Sequence, residues 1–285
     1  MAGMSEPRVH VTLSTASTYP RRAEYAFDVA AGLGYDGVEV MVWGDETTQE
    51  AHLLEALSSK YSMPIRSIHA PTLLVSQRVW KGGPAPKLTR TVDMAVELGA
   101  GTVVVHPPFR WQREYARGFE QQVHDLARLT DVTIAVENMY PWRGGKRELV
   151  AYLPGWDPSE HSYESVTLDI SHTAVAHQDP LVLMDSFGPR LRHVHLADGT
   201  GAVFDEHKVP GRGTQPCAQV LHRLGEQGWS GDVVVEITTR KAKDDAEREK
   251  DLEESLTFAR EHLAAGAAAR TTAPDAAGAP EAVEG

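Results

Sequence analysis

Six short apolar runs in this sequence end in a histidine or a carboxylate, the side chains that most often bind divalent metal ions. The runs end as Ile68-His69, Val105-His106, Val136-Glu137, Leu168-Asp169, Val194-His195 and Val235-Glu236. An ionisable group at the end of an apolar strand is costly to bury unless another group pairs with it. Because six such residues recur at the same position of successive runs, a single shared partner explains them best. We expect that partner to be a divalent metal cluster.

Eight strand-like runs alternate with amphipathic segments along most of the chain. The predicted strands are 9–15, 37–42, 65–70, 102–107, 133–139, 165–171, 191–197 and 231–237. The predicted helices are 20–33, 47–60, 84–99, 112–129, 146–153, 179–187, 214–227 and 244–264. Strict alternation predicts a parallel sheet, and eight units in roughly 260 residues predict a single closed (β/α)8 TIM barrel. A doubly wound open sheet is the alternative, but no G-x-G-x-x-G follows the first strand.

The composition predicts one α/β domain between two short terminal segments. We expect residues 1–8 to form a flexible N-terminus, 9–264 the barrel, and 265–285 a disordered tail. The tail is almost all Ala, Gly, Pro, Thr and Glu, which cannot bury enough apolar surface to fold. No stretch approaches the roughly 20 apolar residues of a membrane span. The absence of a signal-peptide pattern and the single cysteine, Cys217, are compatible with the cytoplasmic location that we predict.

The charge balance limits the classes of partner. The chain has 28 Lys and Arg against 40 Asp and Glu, a formal net charge of −12. A surface this acidic does not attract nucleic acid as a whole. Bound divalent cations would offset part of the charge locally.

Four of the six residues at strand ends belong to consecutive predicted strands and can surround one cation. In a TIM barrel the active site lies at the carboxyl ends of the strands, where the six residues fall. The four are Glu137, Asp169, His195 and Glu236. Mixed carboxylate and imidazole ligands suit Mn²⁺, Zn²⁺, Co²⁺ or Fe²⁺ better than Ca²⁺, which takes only oxygen. His69 and His106 end two earlier strands and are expected to add ligands.

Three consecutive loops at the same end of the predicted barrel mix aromatic and basic residues. They contain Arg78-Val79-Trp80-Lys81, Phe109-Arg110-Trp111-Gln112-Arg113 and Tyr140-Pro141-Trp142-Arg143. Arginines suit a substrate phosphate, and tryptophans suit the face of a sugar ring. The predicted substrate-binding residues are Arg110, Trp111, Trp142, Arg143 and, in a later loop, Arg212. The same mixture suits a DNA backbone with an extruded nucleotide. The loops carry no long insertion that could enter a duplex, which favours a small molecule.

The segments VENMYPW, LDISH, HVHLADG, DEHKVPGRG and VVVEI together resemble the xylose-isomerase-like barrel superfamily. The resemblance extends from about residue 9 to 262. This group includes sugar phosphate isomerases and epimerases and the endonuclease IV (AP endonuclease family 2) enzymes. The resemblance implies a metal site formed by Glu137, Asp169, His195 and Glu236. In the epimerase branch the two glutamates also form the acid–base pair, one on each face of the substrate.

The resemblance to endonuclease IV implies a larger ligand set that holds three zinc ions. The matching positions are His69, His106, Glu137, Asp169, His172, His195, Asp205, His207 and Glu236, and all nine residue types are present. Clustered metal ions can stabilise both the attacking and the leaving oxygen of a phosphodiester. The D-x-H-x-x-x-G-x-G loop looks common in isomerase-like relatives as well. The two reactions therefore both stay open.

The first hypothesis is a divalent-metal-dependent sugar or sugar-phosphate isomerase or epimerase that transfers a proton alpha to a metal-bound carbonyl. Glu137 and Glu236 would be catalytic and would also bind the metal, with His172 as a ligand or substrate contact. The cofactor would be one to three ions of Mn, Zn, Co or Fe, and the partners a small sugar and a possible second copy of the chain, without a membrane. The alternative is a zinc-dependent AP endonuclease, the only one of these enzymes that requires nucleic acid. A third class is a metal-bound barrel that acts as a binding or regulatory subunit.

Overall fold

The chain alternates strands and helices in the predicted manner. The computed structural model describes residues 8–72, 78–144 and 147–272, with the backbone alone at 143–144 and 147–148. The strands are β1 (Val9–Ser14), β2 (Val38–Met41), β3 (Ile65–His69), β4 (Thr102–Val105), β5 (Thr133–Glu137), β6 (Trp142–Gly144), β7 (Arg147–Leu149), β8 (Val166–Asp169), β9 (Leu191–Leu196) and β10 (Gly231–Val235). The helices are α1 (Ala23–Leu33), α2 (Ala51–Tyr61), α3 (Pro84–Leu98), α4 (Arg113–Leu129), α5 (Ile170–Ala176), α6 (Pro180–Phe187), α7 (Cys217–Glu226) and α8 (Asp245–Thr272).

Eight of the strands close into a parallel barrel. Their order around the barrel is β1-β10-β9-β8-β5-β4-β3-β2. The barrel closes where β1 pairs with β10, with Val11 beside Val233, and β1 also pairs with β2. The predicted (β/α)8 barrel is confirmed, and the open-sheet alternative is wrong because β1 has a neighbour on both sides. Within the described residues no helix has the length and apolarity of a membrane span.

The two faces of the strands carry different chemistry. Apolar residues such as Val136, Leu168 and Val194 belong to the apolar core that also includes helix residues. Alternate positions hold buried polar groups, among them Thr167 and His193. Because side chains alternate across a strand, this pattern leaves the polar set on the other face of the strands, toward the barrel interior. The barrel interior is therefore built to carry ionisable side chains.

One connection differs from the prediction. The sequence predicted a helix over 146–153, whereas β6 and β7 form an antiparallel hairpin in which Trp142 pairs with Leu149. Phe109 and Tyr152 form a further isolated antiparallel bridge. These cross-strand pairs draw the segment into an extended backbone. Pro154 also disfavours a helical conformation at the residue before it.

The last helix is longer than predicted. It continues through Thr272 and so includes the first eight residues of the predicted tail, while 1–7 and 273–285 lie outside the described residues. Gly266 of α8 packs closely on α7, since a Cβ at this position would overlap the carbonyl oxygen of His222. Gly225 on α7 has the same relation to the carbonyl of Leu263. The prediction of disorder was wrong for 265–272, because alanine favours a helix and small residues permit the close crossing of α7 and α8.

We expect Gly266→Ala to lower the free energy of unfolding by about 1–3 kcal/mol, since the added methyl group overpacks the α7–α8 crossing. Chemical denaturation followed by circular dichroism measures the change. The matched control is Gly118→Ala in the middle of α4, where an added Cβ meets nothing within 4 Å. This control should be stabilised by about 0.5–1 kcal/mol. Equal effects of the two substitutions would contradict the proposed close packing.

Candidate active site

The four residues predicted to share a cation converge at the carboxyl end of the barrel. Nδ1 of His195 lies 2.9 Å from Oε1 of Glu137, 2.9 Å from Oε2 of Glu236 and 3.6 Å from Oδ2 of Asp169. One candidate ligand atom from each of the four lies within 4.8 Å of the others. All four side chains are buried. Three carboxylates and one imidazole nitrogen therefore surround a single small volume.

The charges of this group fit a divalent cation. Burial alone would raise the pKa of Glu137, but His106 and His195 hold it well below its usual value. Burial lowers the pKa of His195, yet Glu236, Glu39 and Glu137 raise it well above 6.5. Burial raises the pKa of Asp169, whose Oδ2 has no hydrogen-bond partner among the described residues. A cation bound here would pair this oxygen and neutralise the surplus negative charge.

Two further histidines contact the other oxygen of Glu137. Oε2 of Glu137 lies 3.1 Å from Nε2 of His69 and 2.6 Å from Nε2 of His106. The two imidazole rings are 4.5 Å apart between centroids. Burial lowers the pKa of His106 to about 4, so that this imidazole is neutral and available as a ligand. Glu137 thus lies between this histidine pair and His195.

A third set of ionisable residues borders the first. Oδ2 of Asp205 lies 3.0 Å from Nε2 of His172 and 2.6 Å from Nε2 of His207. Burial opposes protonation of His172, but Asp169 and Asp205 raise its pKa to about 10. Candidate ligand atoms of His172, His207 and Asp169 lie within 4.8 Å of one another. The structure therefore brings all nine predicted ligands into one continuous cluster.

The predicted substrate-binding residues lie in different environments, and not all of them line the cavity. Trp142 lines a cavity of about 310 Å³ above the cluster. Trp111 stacks on Phe109 at 4.6 Å but is 46% exposed and borders a neighbouring groove instead. Arg110 is exposed, and the side chain of Arg143 lies outside the described residues. Of the two tryptophans, only Trp142 therefore lines the cavity above the candidate metal ligands.

Arg212 does not reach the cavity. Its guanidinium lies 2.8 Å from Asp251 and 2.5 Å from Glu254, both on α8. A residue adjacent to glycines in a βα loop is a reasonable anion ligand on sequence grounds. Two helix carboxylates already hold this arginine, and they lie far from it in the sequence. The position of Arg212 therefore gives no support to its predicted contact with the substrate.

Asn138 is a structural part of the site that the strand-end pattern missed. Its Oδ1 accepts a hydrogen bond from the backbone N of Asp169 at 2.7 Å, and its Nδ2 donates to the backbone O of Asp169 at 3.1 Å. Its own carbonyl oxygen lies 2.8 Å from Nδ1 of His172. Its position directly after the ligand Glu137 was the available signal. Asn138 connects β5 to the end of β8 and to α5.

The loop that carries Asp205 and His207 is organised around Asp198. The Asp198 carboxylate accepts hydrogen bonds from the backbone N–H groups of Gly199 at 2.8 Å and of Gly211, Gly213 and Gln215 at 2.9 Å. A Cβ on Gly213 would overlap this carboxylate. Gly211 and Gly213, which follow the D-x-H motif, therefore allow the loop to close around the carboxylate of Asp198.

We expect Asn138→Ala to lower the free energy of unfolding by about 1–3 kcal/mol, because it leaves the buried backbone groups of Asp169 without partners. Urea unfolding of the metal-free protein measures this change in the free energy of unfolding. The matched control is Thr167→Val on β8, which removes a buried hydroxyl without a hydrogen-bond partner. That change should be close to neutral. A neutral Asn138→Ala would show that the connection contributes little to stability.

Comparison with known proteins identifies the family of this barrel. The chain matches the xylose isomerase-like TIM barrel family over residues 27–262. It is 50% identical over 276 residues to an uncharacterized protein of Mycobacterium tuberculosis, covering 90% of this chain and 99% of that protein. It is 25% identical over 242 residues to fructoselysine 3-epimerase of Escherichia coli O157:H7, covering 76% and 86%. A D-tagatose 3-epimerase-like protein shares the fold, with a TM-score of 0.64, 22% identity and coverage of 89% and 99%. The chain belongs to the xylose isomerase-like TIM barrel family.

Proposed function

We propose that this protein is a divalent-metal-dependent epimerase or isomerase that moves a proton on a sugar carbon next to a carbonyl. The observation that carries the proposal is the pair Glu137 and Glu236, each 2.9 Å from the same nitrogen of His195 at the floor of a cavity. Two carboxylates beside one substrate-sized volume are the minimum for removing a proton and returning it. The similarity to a protein named fructoselysine 3-epimerase supports this choice.

The four converging residues would hold the cation: Glu137, Asp169, His195 and Glu236. When bound, the cation would polarise a substrate carbonyl and make the neighbouring C–H more acidic. One glutamate then accepts the proton from carbon, and the other, in its protonated form, returns a proton to the opposite face. Glu236 is 6% exposed and Glu137 only 1%. Glu236 is therefore the carboxyl better placed to exchange its proton with solvent.

The cavity walls favour an uncharged sugar. Phe109, Trp142 and Tyr152 form an aromatic wall, with the Phe109 ring 5.0 Å from Tyr152 and 5.8 Å from Trp142. Such rings exclude water and suit the C–H face of a sugar. Among the described residues that line the cavity there is no Lys or Arg. A sugar phosphate would thus find no Lys or Arg among them, and the lining histidines already face the carboxylates of the cluster, which favours an unphosphorylated substrate.

We expect the protein loaded with Mn²⁺ or Co²⁺ to exchange solvent deuterium into at least one member of a ketose and ketose-derivative panel. NMR and mass spectrometry of the recovered sugars measure the exchange. Glu236→Gln should slow the exchange by about 10²–10⁴-fold, because the amide cannot accept the proton. The matched control is Glu164→Gln, whose carboxylate is exposed on the surface. Exchange at the wild-type rate in Glu236→Gln would contradict the assigned role.

A second candidate is a phosphodiester hydrolase related in mechanism to endonuclease IV. The observation that favours it is the presence of two further groups beside the central four, His69 with His106 and His172 with Asp205 and His207. An epimerase needs one cation, whereas in-line phosphodiester cleavage benefits from several. The negative net charge of the chain weighs against this candidate.

Metal stoichiometry separates the two candidates. We expect about one tightly bound equivalent of divalent metal per chain, as a single proton-transfer site requires. Elemental analysis after gel filtration, with the metal-stripped protein as the blank, measures it. About three equivalents of zinc together with incision of an abasic-site duplex would establish the hydrolase instead. Tight metal binding with neither reaction would point to a binding or regulatory subunit.

A further inference from the structure

A buried carboxylate lies beneath the proposed cation site and has no role in the proton transfer. Glu39 is on β2, whereas His195 is on β9, and β1 and β10 separate these strands in the barrel order. Glu39 nevertheless extends through the barrel interior, so that its Oε1 is 3.1 Å from Nε2 of His195. It is fully buried. A buried carboxylate is costly unless several donors face it.

The other oxygen of Glu39 is held firmly. Oε2 accepts a hydrogen bond from Oγ of Ser67 at 2.8 Å and lies 2.8 Å from Nε2 of His193. Ser67 belongs to β3 and His193 to β9, so the contacts come from two separate strands. This arrangement directs Oε1 toward His195. Oε1 of Glu39 and Nε2 of His195 face each other at 3.1 Å, and neither atom makes a hydrogen bond to any of the described residues.

The two nitrogens of His195 therefore face different groups. Nδ1 faces the three carboxylates of the proposed cation site, and Nε2 faces Glu39. A neutral imidazole binds a cation only through the nitrogen that lacks a proton. If the proton moved to Nδ1, that nitrogen could not serve as a ligand. The choice of tautomer consequently decides whether His195 can act in the site.

We propose that Glu39 is a positioning residue that holds the proton of His195 on Nε2 and so keeps Nδ1 free to bind the cation. The inference rests on the cation site described under the proposed function. A carboxylate behind a metal-binding histidine fixes the ring orientation and increases the basicity of the ligating nitrogen. It also explains why an acidic residue occupies the barrel interior one layer below the site. A glutamine at position 39 would keep the volume of the side chain but would place an amide nitrogen beside Nε2 of His195. If the amide group flips, that nitrogen lies beside Ser67 and His193 instead.

The test is the affinity of the full-length protein for Zn²⁺, measured by competition with a chromophoric chelator. Glu39→Gln should weaken Zn²⁺ binding about 10–100-fold without changing the number of ions bound. The matched control is Thr167→Val, which alters an equally buried residue of the barrel interior whose hydroxyl has no hydrogen-bond partner among the described residues. Its affinity should stay close to that of the wild type. Circular dichroism confirms that both variants are folded.

The possible outcomes separate this inference from the proposed function. A wild-type protein that binds no divalent metal would overturn the cation site itself, and this inference with it. Equal Zn²⁺ affinity in wild type and Glu39→Gln would overturn only the role of Glu39. Loss of one bound ion in Glu39→Gln, with the remaining affinity unchanged, would overturn it too, since Glu39 would then be a ligand.

A second measurement does not depend on the variants. Nitrogen-15 NMR of the wild-type Zn²⁺ complex reports which imidazole nitrogen of His195 carries a proton. We expect the proton on Nε2 and none on Nδ1. A proton on Nδ1, or on neither nitrogen, would overturn the proposal even if Glu39→Gln fails to fold.

Discussion

The constraint on which the structure depends is the burial of several carboxylates within a few ångströms of one another. Glu137, Asp169 and Glu236 repel one another in a medium of low polarity, and only positive charge or hydrogen-bond donors can offset that repulsion. In the described residues His195 supplies this compensation from the centre of the group. A cation bound among these carboxylates would therefore stabilise the fold.

The elements that hold the site differ in rigidity. Glu137, Asp169 and His195 belong to strands, whose pairing on both sides fixes their positions. Asp205 and His207 belong instead to a loop that is ordered by the carboxylate of Asp198. The backbone of His207 has a φ of +43°, in the left-handed region that is uncommon for residues other than glycine. The loop therefore carries local backbone strain at the residue whose imidazole contacts Asp205.

The sequence predicted the parts of this protein that depend on local pattern. The alternation of strands and helices and the ionisable residues at strand ends follow periods of two and 3.6 residues, which can be read directly. The contacts of Glu39 and Arg212 could not be read in this way. Glu39 meets His195 across 156 positions of the chain, and Arg212 meets Glu254 across 42. Such pairs depend on which strands and helices become neighbours after the barrel has closed.

The types of the candidate ligands do not by themselves select the reaction. Proton transfer and phosphodiester cleavage both need carboxylates and imidazoles around cations. They differ in what must be held beside the cations, a neutral sugar or a charged nucleic-acid backbone. The aromatic wall of Phe109, Trp142 and Tyr152 is formed by the β4–α4 loop and the hairpin connection, and the sequence predicted a helix over 146–153, which contains Tyr152. The element that was hardest to predict is therefore the one that bears most directly on the substrate, since βα loops vary while the barrel stays fixed.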